Sequence, residues 1–399
     1  MKTQILYGIA LMIVAGCSQT EQSHNHGHEH VVQTGASFSQ AALLKPAETV
    51  SCLLENGDTA ECLEIAVKHK PDDLTVGPFC PATLQSAGGV WDWTGASPGL
   101  YRVDQAFLEM LSEQGYRMFD EDGNVYISDI SKAQPVEDHT CIQVSEDDGV
   151  EITALIPLHP VMADAPAQLG VVNKIGMALN GTPIFSDAPS VQHTGHMPAL
   201  DTCGGHVDPG GWYHWHANSS DIETVYEATG VEAYCAINQN AAQQFGYAFD
   251  GFPIYGSLEA SGEIPSDLDE CNGHIGEMSN GETGYHYHTS DAFPNLPKCL
   301  VGVQAVNNFN TTAQVGIGAN PTEGIEITRG NPPGGGGPNP GGRQPLNLDE
   351  AAAKLGVPVQ TLSDALRQSG RPPDFAQVAE RLGVSEQELR EAIPPRPGR

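Results

Sequence analysis

A stretch in the middle of the chain is repeated once, and this internal duplication limits the possible folds more than any other feature. The run Gly176–Ile184 corresponds position by position to Gly246–Ile254, at an offset of about 70 residues. Two copies of one sequence pattern predict two copies of one structural unit packed against each other. Short apolar runs rich in β-branched and aromatic residues, separated by Gly and Pro, predict strands and long loops. We therefore expect a mainly β fold built around a duplicated unit.

Each copy contains a short motif in which two histidines alternate with aromatic residues. The motif reads Tyr-His-Trp-His over Tyr213–His216 in the first copy and Tyr-His-Tyr-His over Tyr285–His288 in the second. Side chains of a strand alternate between its two faces, so the two imidazoles of each motif share one face. A Gly-His pair precedes each motif and adds His206 to the first copy and His274 to the second.

These histidines are the predicted metal ligands: His206, His214, His216, His274, His286 and His288. Imidazole ligands without free thiolates suit copper, zinc or iron rather than calcium or magnesium. The motifs either surround one shared ion or form two separate sites, and the symmetry of the copies favours a shared site. The alternative is that the rings are structural and hydrogen-bonded on a polar β surface. Six symmetrically placed imidazoles favour metal binding over packing alone.

Two further polar residues lie at equivalent positions of the copies. Asn180 begins the Asn-Gly turn of the first copy, and Asp250 begins the Asp-Gly turn of the second. Such residues are candidates to orient an imidazole by accepting its ring N–H. The alternative is that each one caps its own turn.

The cysteines predict a disulfide-bonded protein. Eight remain after Cys17, and an even number in an oxidising compartment predicts four disulfides. If the two copies are structurally equivalent, Cys203 pairs with Cys235 and Cys271 pairs with Cys299. The first segment then keeps the other four, which are Cys52, Cys62, Cys80 and Cys141.

The amino terminus predicts export and a lipid anchor. Residues 1–16 contain Lys2, an apolar run and two small residues directly before Cys17. This pattern is typical of a removed lipoprotein signal, after which Cys17 carries the acyl chains. We expect a membrane-anchored protein of the periplasm or cell surface, on the outer membrane if the organism is Gram-negative.

Residues 17–48 are polar and predict a tether between the lipid and the first folded segment. Four of them are histidines at alternate positions, namely His24, His26, His28 and His30. Such a tract chelates zinc or copper loosely without a fold. The equally supported alternative is a solvated spacer.

The charge of the chain argues against nucleic-acid binding. Fifty acidic and eighteen basic residues give a formal net charge of -32. A chain this acidic is repelled by a phosphate backbone.

The composition predicts further segments around the duplicated domain. Residues 49–148 form an acidic, Cys-containing segment, and 149–307 contain the duplicated domain. Residues 308–344 are rich in Gly and Pro and predict a linker. Two helix-turn-helix-like repeats over 345–394 predict a helical module that binds a protein partner or acts as a spacer.

One stretch of the first segment is similar to part of a calcium loop. Asp120, Asp122 and Asn124 surround Gly123. The bidentate Glu that closes an EF-hand loop is missing, and Asp-Gly is a common hairpin signal. We therefore expect a turn there and no calcium.

Several motifs of the chain together resemble a known family. They include GPFCP, NGTPIF, CGGHVDPGGWYHWH, FDGFPIYG, LDECNGH and GYHYHTS. From about Val76 to Gly302 the chain resembles the YHYH-domain proteins, named for the motif at Tyr285–His288. The first copy departs from the motif with Trp215, which keeps an aromatic side chain on the same strand face. The resemblance implies a YHYH domain and no particular reaction.

Three functions are compatible with these features. The first is capture or buffering of copper or zinc by an extracytoplasmic lipoprotein. The second is a metal-dependent oxidoreductase or hydrolase, with Asp201, Asp208 or Asp250 as a candidate acid or base. The third is a cell-surface interaction protein with structural histidines. The sequence has no Gly-x-Ser-x-Gly elbow and no phosphate loop, so nothing in it requires catalysis.

Overall fold

The computed structural model describes residues 38–188, 190–319, 354–355, 357 and 375–392. The chain divides into two compact units, Met1–Gly335 and Gly336–Arg399. Several predicted features lie outside the described residues, namely Cys17, the four tether histidines, the Gly/Pro-rich stretch after 320 and most of the first helical repeat.

The described part of the first unit is mainly β, which confirms the predicted fold class. Its first strands are β1 Glu48–Leu53, β2 Thr59–Lys68, β3 Val90–Trp93, β4 Gly99–Arg102, β5 Ile127–Ser128, β6 Thr140–Ile142, β7 Glu151–Pro157 and β8 Met162–Gln168. The duplicated region and its flank contain β9 Lys174–Ala178, β10 Pro183–Phe185, β11 His196–Met197, β12 Gly205–Val207, β13 Tyr213–Trp215, β14 Gln244–Ala248, β15 Pro253–Tyr255, β16 Gly273–Glu277, β17 Thr283–His288, β18 Cys299–Gly302 and β19 Phe309–Thr311. The helices are α1 Gln105–Glu113, α2 Val191–Thr194 and α3 Ile222–Thr229.

The duplication forms one eight-stranded sheet in the order β12-β13-β10-β9-β14-β15-β17-β16. The first copy supplies one half and the second copy supplies the other half in mirrored order. The halves join where β9 pairs antiparallel with β14, and Met177 lies opposite Tyr247 at the centre of that pairing. These two residues are themselves equivalent in the copies, so the sheet has a pseudo-twofold axis between them.

Close approach of the two inner strands depends on glycine. A Cβ on Gly176 would lie 2.0 Å from the carbonyl oxygen of Tyr247, and a Cβ on Gly246 would lie 2.5 Å from that of Met177. Both distances are far below van der Waals contact, and the colliding atoms are backbone atoms that cannot rotate away. The repeated Gly of the sequence pattern therefore marks the junction of the copies.

Each face of the eight-stranded sheet packs on a different part of the chain. One face buries Ile184, Trp215 and Tyr287 against a core that also contains Trp91 and Phe107 of the first segment. The opposite face buries Met177, Phe185 and Tyr247 against a four-stranded sheet in the order β1-β2-β7-β19. The duplicated domain is thus covered on both faces.

Several contacts cross the predicted segment boundaries. The strand β2 of the first segment pairs with β7 of the duplicated domain, so the two segments share a sheet across residue 148. The strand β19 pairs with β7, although the linker was expected to begin at residue 308. Phe38 is buried in the core of the four-stranded sheet, although the tether was expected to extend to residue 48. The reason is that strands far apart in sequence pair in one sheet.

The four predicted disulfides are confirmed. Cys203 pairs with Cys235, and Cys271 pairs with Cys299, as the equivalence of the copies requires. The first segment contains the remaining two, Cys52–Cys62 and Cys80–Cys141. The second of these closes a loop of 61 residues around α1 and so restricts the unfolded chain.

The turn predicted around Gly123 is confirmed. One carboxylate oxygen of Asp120 accepts the backbone N–H of both Asp122 and Asn124, at 2.9 and 2.8 Å. Gly123 has a φ of 84°, and Phe119 bridges to Val125 across the turn. The carboxylate is thus occupied by the backbone of its own turn.

The described part of the second unit is a helix pair, Phe375–Leu382 and Glu386–Ala392. Gly383 between them has a φ of 68°, which glycine adopts without strain. Ser385 and Glu388 exchange hydrogen bonds as a capping box at the second helix. This confirms the helix, Gly turn and helix predicted for the second repeat. Among the described residues, no helix combines the length and apolar character needed to cross a membrane.

Replacing Gly246 with Ala should destabilise the protein. The new methyl group would meet the carbonyl of Met177, and overpacking of this kind costs about 1–3 kcal/mol of unfolding free energy. Urea denaturation followed by circular dichroism measures the loss. Gly170→Ala is the matched control, because its Cβ would lie 3.7 Å from the nearest side chain at an exposed position. Equal midpoints for the two variants would contradict the role of Gly246 at the junction.

Candidate metal centres

The six predicted histidines form two separate groups. His206, His214 and His216 form the first site, on the hairpin β12–β13. His274, His286 and His288 form the second site with Glu259, on the hairpin β16–β17. In both hairpins the Gly-His histidine lies directly opposite the first histidine of the motif. This register brings three imidazoles together on one face.

The expectation of one shared site is wrong, and the two-site alternative holds. Both sites lie on the face of the eight-stranded sheet that also carries Phe185 and Tyr247, since their aromatic neighbours Trp215 and Tyr287 are buried on the other face. The two hairpins occupy opposite edges of the sheet, with β10, β9, β14 and β15 between them. The symmetry axis passes through the centre of the sheet, so it separates the motifs.

The first site is an equilateral triangle of imidazole nitrogens. The Nε2 atoms of His206, His214 and His216 are each 3.1 Å from the other two. The Nδ1 of His216 donates to the carbonyl of Ser186, and His206 forms a hydrogen bond to the backbone of Pro198. A ring that donates through Nδ1 carries a lone pair on Nε2. The Nε2 lone pair of His216 therefore points into the triangle, whereas the buried Nδ1 of His214 has no hydrogen-bond partner.

The size of this triangle fits a transition-metal ion. Its corners lie about 1.8 Å from its centre, and zinc–nitrogen bonds are about 2.0–2.1 Å long. The three imidazoles would hold such an ion as its protein ligands.

The second site adds a carboxylate to three imidazoles. The Nε2 atoms of His274 and His286 are 3.2 Å apart. One oxygen of Glu259 is 3.1 Å from the Nε2 of His274, and the other is 3.7 Å from the Nε2 of His288. All four ligand atoms lie within 4.8 Å of one another. The Nε2 of His288 is fully buried and has no hydrogen-bond partner, as expected of an atom that faces an ion.

Each ring of the second site is oriented through its Nδ1. His288 donates to the carbonyl of Gly256 at 2.8 Å, and His286 donates to that of Gly284 at 3.0 Å. The Nδ1 of His274 is 2.8 Å from a carboxylate oxygen of Asp267. A carboxylate behind a ligating histidine fixes the ring and raises its basicity. With every Nδ1 engaged, the Nε2 atoms are directed into the site.

Burial lowers the pKa of five of the six histidines, which favours their neutral form: His206, His214, His216, His286 and His288. It lowers the pKa of His216 and of His286 to about 4. The pKa values of His206 and His214 lie well below the usual range, first because of burial and second because of the neighbouring imidazoles. A neutral imidazole is the form that binds a metal ion.

Asn180 and Asp250 do not contact an imidazole. Asn180 accepts the N–H of Thr182 at 3.1 Å, and Asp250 accepts the N–H of Phe252 at 3.2 Å. Each therefore caps its own turn. The second oxygen of Asp250 accepts the hydroxyl of Tyr287 at 2.6 Å, on the face of the sheet opposite the histidines.

The carboxylates considered as acids or bases hold the backbone instead. Asp201 accepts the hydroxyl of Tyr213 and the N–H of Gly205. Asp208 accepts the N–H of Gly210 at 2.7 Å. In the described part of the chain, neither these residues nor Asp250 belong to the ligand groups of the two sites. Burial raises the pKa of Asp201 to about 6, although its hydrogen bonds oppose that shift.

Comparison of the copies within the sequence does not reveal Glu259 and Asp267. Both lie in the loop between β15 and β16, and at the offset of 70 residues Glu259 corresponds to Pro189. The repeat predicts only residues that both copies share, so it cannot predict a ligand that the first copy lacks. By contrast, Asp201 and Asp269 precede equivalent cysteines and hold equivalent tyrosines, so the repeat contained a signal for that pair.

Fold and site together define a disulfide-bonded, internally duplicated β protein with two histidine-based candidate metal centres. Residues 153–265 match the family model described as YHYH protein, so the chain contains a YHYH domain, as the resemblance implied. The match includes the motif at Tyr213–His216 and ends before the motif at Tyr285–His288. Searches of curated proteins and of solved structures found no match.

The metal-free protein should lose stability as the pH falls from about 6.5 towards 4. In the unfolded chain the histidines have a pKa of about 6.5, whereas burial holds that of His216 and His286 at about 4. The unfolded state therefore binds protons first, and stability present above pH 6.5 is lost at up to about 1.4 kcal/mol per pH unit for each histidine. Urea denaturation at pH 7 and pH 5 measures this loss.

A double variant and an exposed control test the origin of the pH dependence. Replacing His214 and His216 with Gln should make the dependence shallower. Replacing His159 with Gln should leave it unchanged, because the side chain of His159 is 53% exposed. The same pH dependence in wild type and in the double variant would show that the first site does not hold its imidazoles neutral.

Proposed function

We propose that the protein binds two transition-metal ions, one at each site, and captures or buffers copper or zinc outside the cytoplasm. The observation that carries this proposal is the triangle of Nε2 atoms at 3.1 Å in the first site. The second site supports it with three imidazoles and a carboxylate in one group.

Packing alone does not account for this arrangement. A structural histidine donates through one ring nitrogen and accepts through the other. In the second site the Nδ1 atoms of His286 and His288 donate to carbonyls, so the Nε2 atoms of these neutral rings have no proton to share with each other. Two lone pairs directed at one point beside a carboxylate are stabilised by a cation. This argument favours a metal ion over structural histidines.

Binding is better supported than catalysis. Asp201, Asp208 and Asp250 all hold backbone or tyrosine groups, so none of these three candidates is positioned as an acid or base at the sites. The set of three imidazoles at the first site is the observation that favours the second candidate, a metal-dependent enzyme, because catalytic zinc sites use three protein ligands.

We also propose that Cys17 anchors the protein to a membrane. The four disulfides support an oxidising compartment. The carboxy-terminal helices then serve a protein partner. Cys17→Ser should move the protein from the membrane fraction to the soluble fraction, and an unchanged distribution would argue against the anchor.

Elemental analysis of the purified protein should find two bound ions per chain, and one ion after loss of either site. One variant replaces His214 and His216 with Ala, and the other replaces His286 and His288. All proteins carry Gln at the tether histidines 24, 26, 28 and 30, so that loosely bound metal is not counted. His159→Ala is the control and should keep two ions, since this residue belongs to neither site. Less than one ion in the protein that keeps both sites would defeat the proposal.

A milder change should weaken the second site without disturbing the fold. Asp267 is 70% exposed at its side chain and contacts the Nδ1 of His274. Asp267→Asn should lower the metal affinity of the second site by about 10- to 100-fold, as loss of such a partner usually does. Isothermal titration with zinc measures the affinity. Glu263→Gln, an exposed change in the same loop, should have no effect.

A further inference from the structure

We infer that the two sites select ions of different charge: the first site holds monovalent copper, and the second site holds a divalent ion such as zinc. This inference rests on the proposed function and specifies which metal each site takes. It follows from the differences between two sites that share one backbone framework.

The second site carries negative charge next to its imidazoles. Glu259 places one oxygen 3.1 Å from the Nε2 of His274 and the other 3.7 Å from the Nε2 of His288. Asp267 adds a second carboxylate behind His274 at 2.8 Å. One carboxylate among the ligands and one behind them together balance the charge of a divalent ion.

The first site has imidazole ligands alone. Its group contains no carboxylate within 4.8 Å of the three nitrogens in the described chain, and Asp208, two residues after His206, is directed to the N–H of Gly210. His214 and His216 are 2% and 1% exposed. An ion bound there keeps its full charge in surroundings that water barely reaches.

The residues around the two sites also differ in polarity, and those around the first site are the less polar. The rings of Phe185 and Trp212 lie 5.1 and 4.9 Å from the ring of His214. In the second copy Tyr255 replaces Phe185, and Gly284 stands at the position of Trp212. The hydroxyl of Tyr255 hydrogen-bonds with Ser279, and the carbonyl of Gly284 accepts from His286. The first site is therefore lined by apolar rings where the second has polar groups.

The cost of burying an ion decides between the two charges. The energy of transferring an ion from water into a medium of low dielectric constant grows with the square of its charge, so a divalent ion costs four times as much as a monovalent ion of the same size. A carboxylate offsets this cost at the second site and is missing from the first. Monovalent copper accepts three ligands without a fourth, which matches three Nε2 atoms at equal distances.

Titration of the metal-free protein with two probes tests the inference. Co(II) serves as a divalent probe with a visible spectrum, and Cu(I) is supplied anaerobically with ascorbate, which leaves disulfides intact, against a competing Cu(I) chelator. We expect one tight Co(II) site and one tight Cu(I) site per chain. The variant with Ala at 214 and 216 should lose the Cu(I) site and keep the Co(II) site. The variant with Ala at 286 and 288 should show the reverse.

Glu259→Gln isolates the effect of charge at the second site. It should lower the Co(II) affinity by about 10- to 100-fold and change the Co(II) spectrum, while the Cu(I) affinity stays the same. Glu263→Gln is the matched control, because it removes an exposed carboxylate of the same loop. Its Co(II) and Cu(I) affinities should equal those of wild type.

The outcomes separate this inference from the proposed function. Equal Co(II) affinity at the two sites, or no effect of Glu259→Gln on Co(II), would overturn the inference while leaving metal binding intact. Failure of wild type to bind either probe at one ion per chain would overturn the proposed function itself. Circular dichroism of each variant confirms that a lost site does not reflect an unfolded protein.

Discussion

The pairing of β9 with β14 is the constraint on which the rest of the structure depends. It joins the two copies at Met177 and Tyr247, and it requires glycine at positions 176 and 246 because the backbones approach so closely. Since these strands form the centre of the sheet, the histidine hairpins become its outermost strands. One junction therefore determines the symmetry of the fold, the number of candidate metal centres and their separation.

Backbone groups of the same framework set the direction of the imidazoles. Ser186 directly follows β10 and Gly256 directly follows β15, and their carbonyls accept the Nδ1–H of His216 and His288. A carbonyl at the end of a strand cannot rotate as a side chain can, so the sheet itself holds these rings in place. The copies also brace each other. Asp221 of the first copy accepts the N–H of Ser257 at 2.7 Å, directly beside the carbonyl that holds His288.

The internal repeat makes part of this structure predictable from the sequence. The six histidines and two of the disulfides, Cys203–Cys235 and Cys271–Cys299, follow from the repeat, because equivalent sequence predicts equivalent structure. The strand order could not be predicted, since nothing in the motif at Tyr285–His288 shows that its strand lies near an edge of the sheet. The contacts that cross residues 148 and 308 could not be predicted for a related reason. The pairing of β7 with β2 and β19 joins residues that are far apart in sequence, and composition carries no record of such pairs.

The sequence differences between the copies fall into two kinds, one on the packed face of the sheet and one on the histidine face. On the packed face, Tyr287 and Asp250 of the second copy replace Trp215 and Asn180 of the first. These changes compensate each other, because the Tyr287 hydroxyl donates to Asp250, while the Trp215 ring N–H donates to the hydroxyl of Tyr213 at 3.1 Å. The Tyr287 hydroxyl and the Trp215 ring N–H thus each have a partner, and the packing of the core is preserved.

On the histidine face the changes do not compensate. Glu259 adds a charge where the first copy has Pro189, and Gly284 removes the aromatic ring that Trp212 supplies. Both changes make the second site more polar, while both copies keep three imidazoles and the equivalent carbonyls of Ser186 and Gly256. If packing alone had governed this face, the copies would be expected to balance these changes as they do on the core face. The divergence instead alters charge and polarity at a fixed set of nitrogens, which is how two sites of one geometry come to prefer different ions.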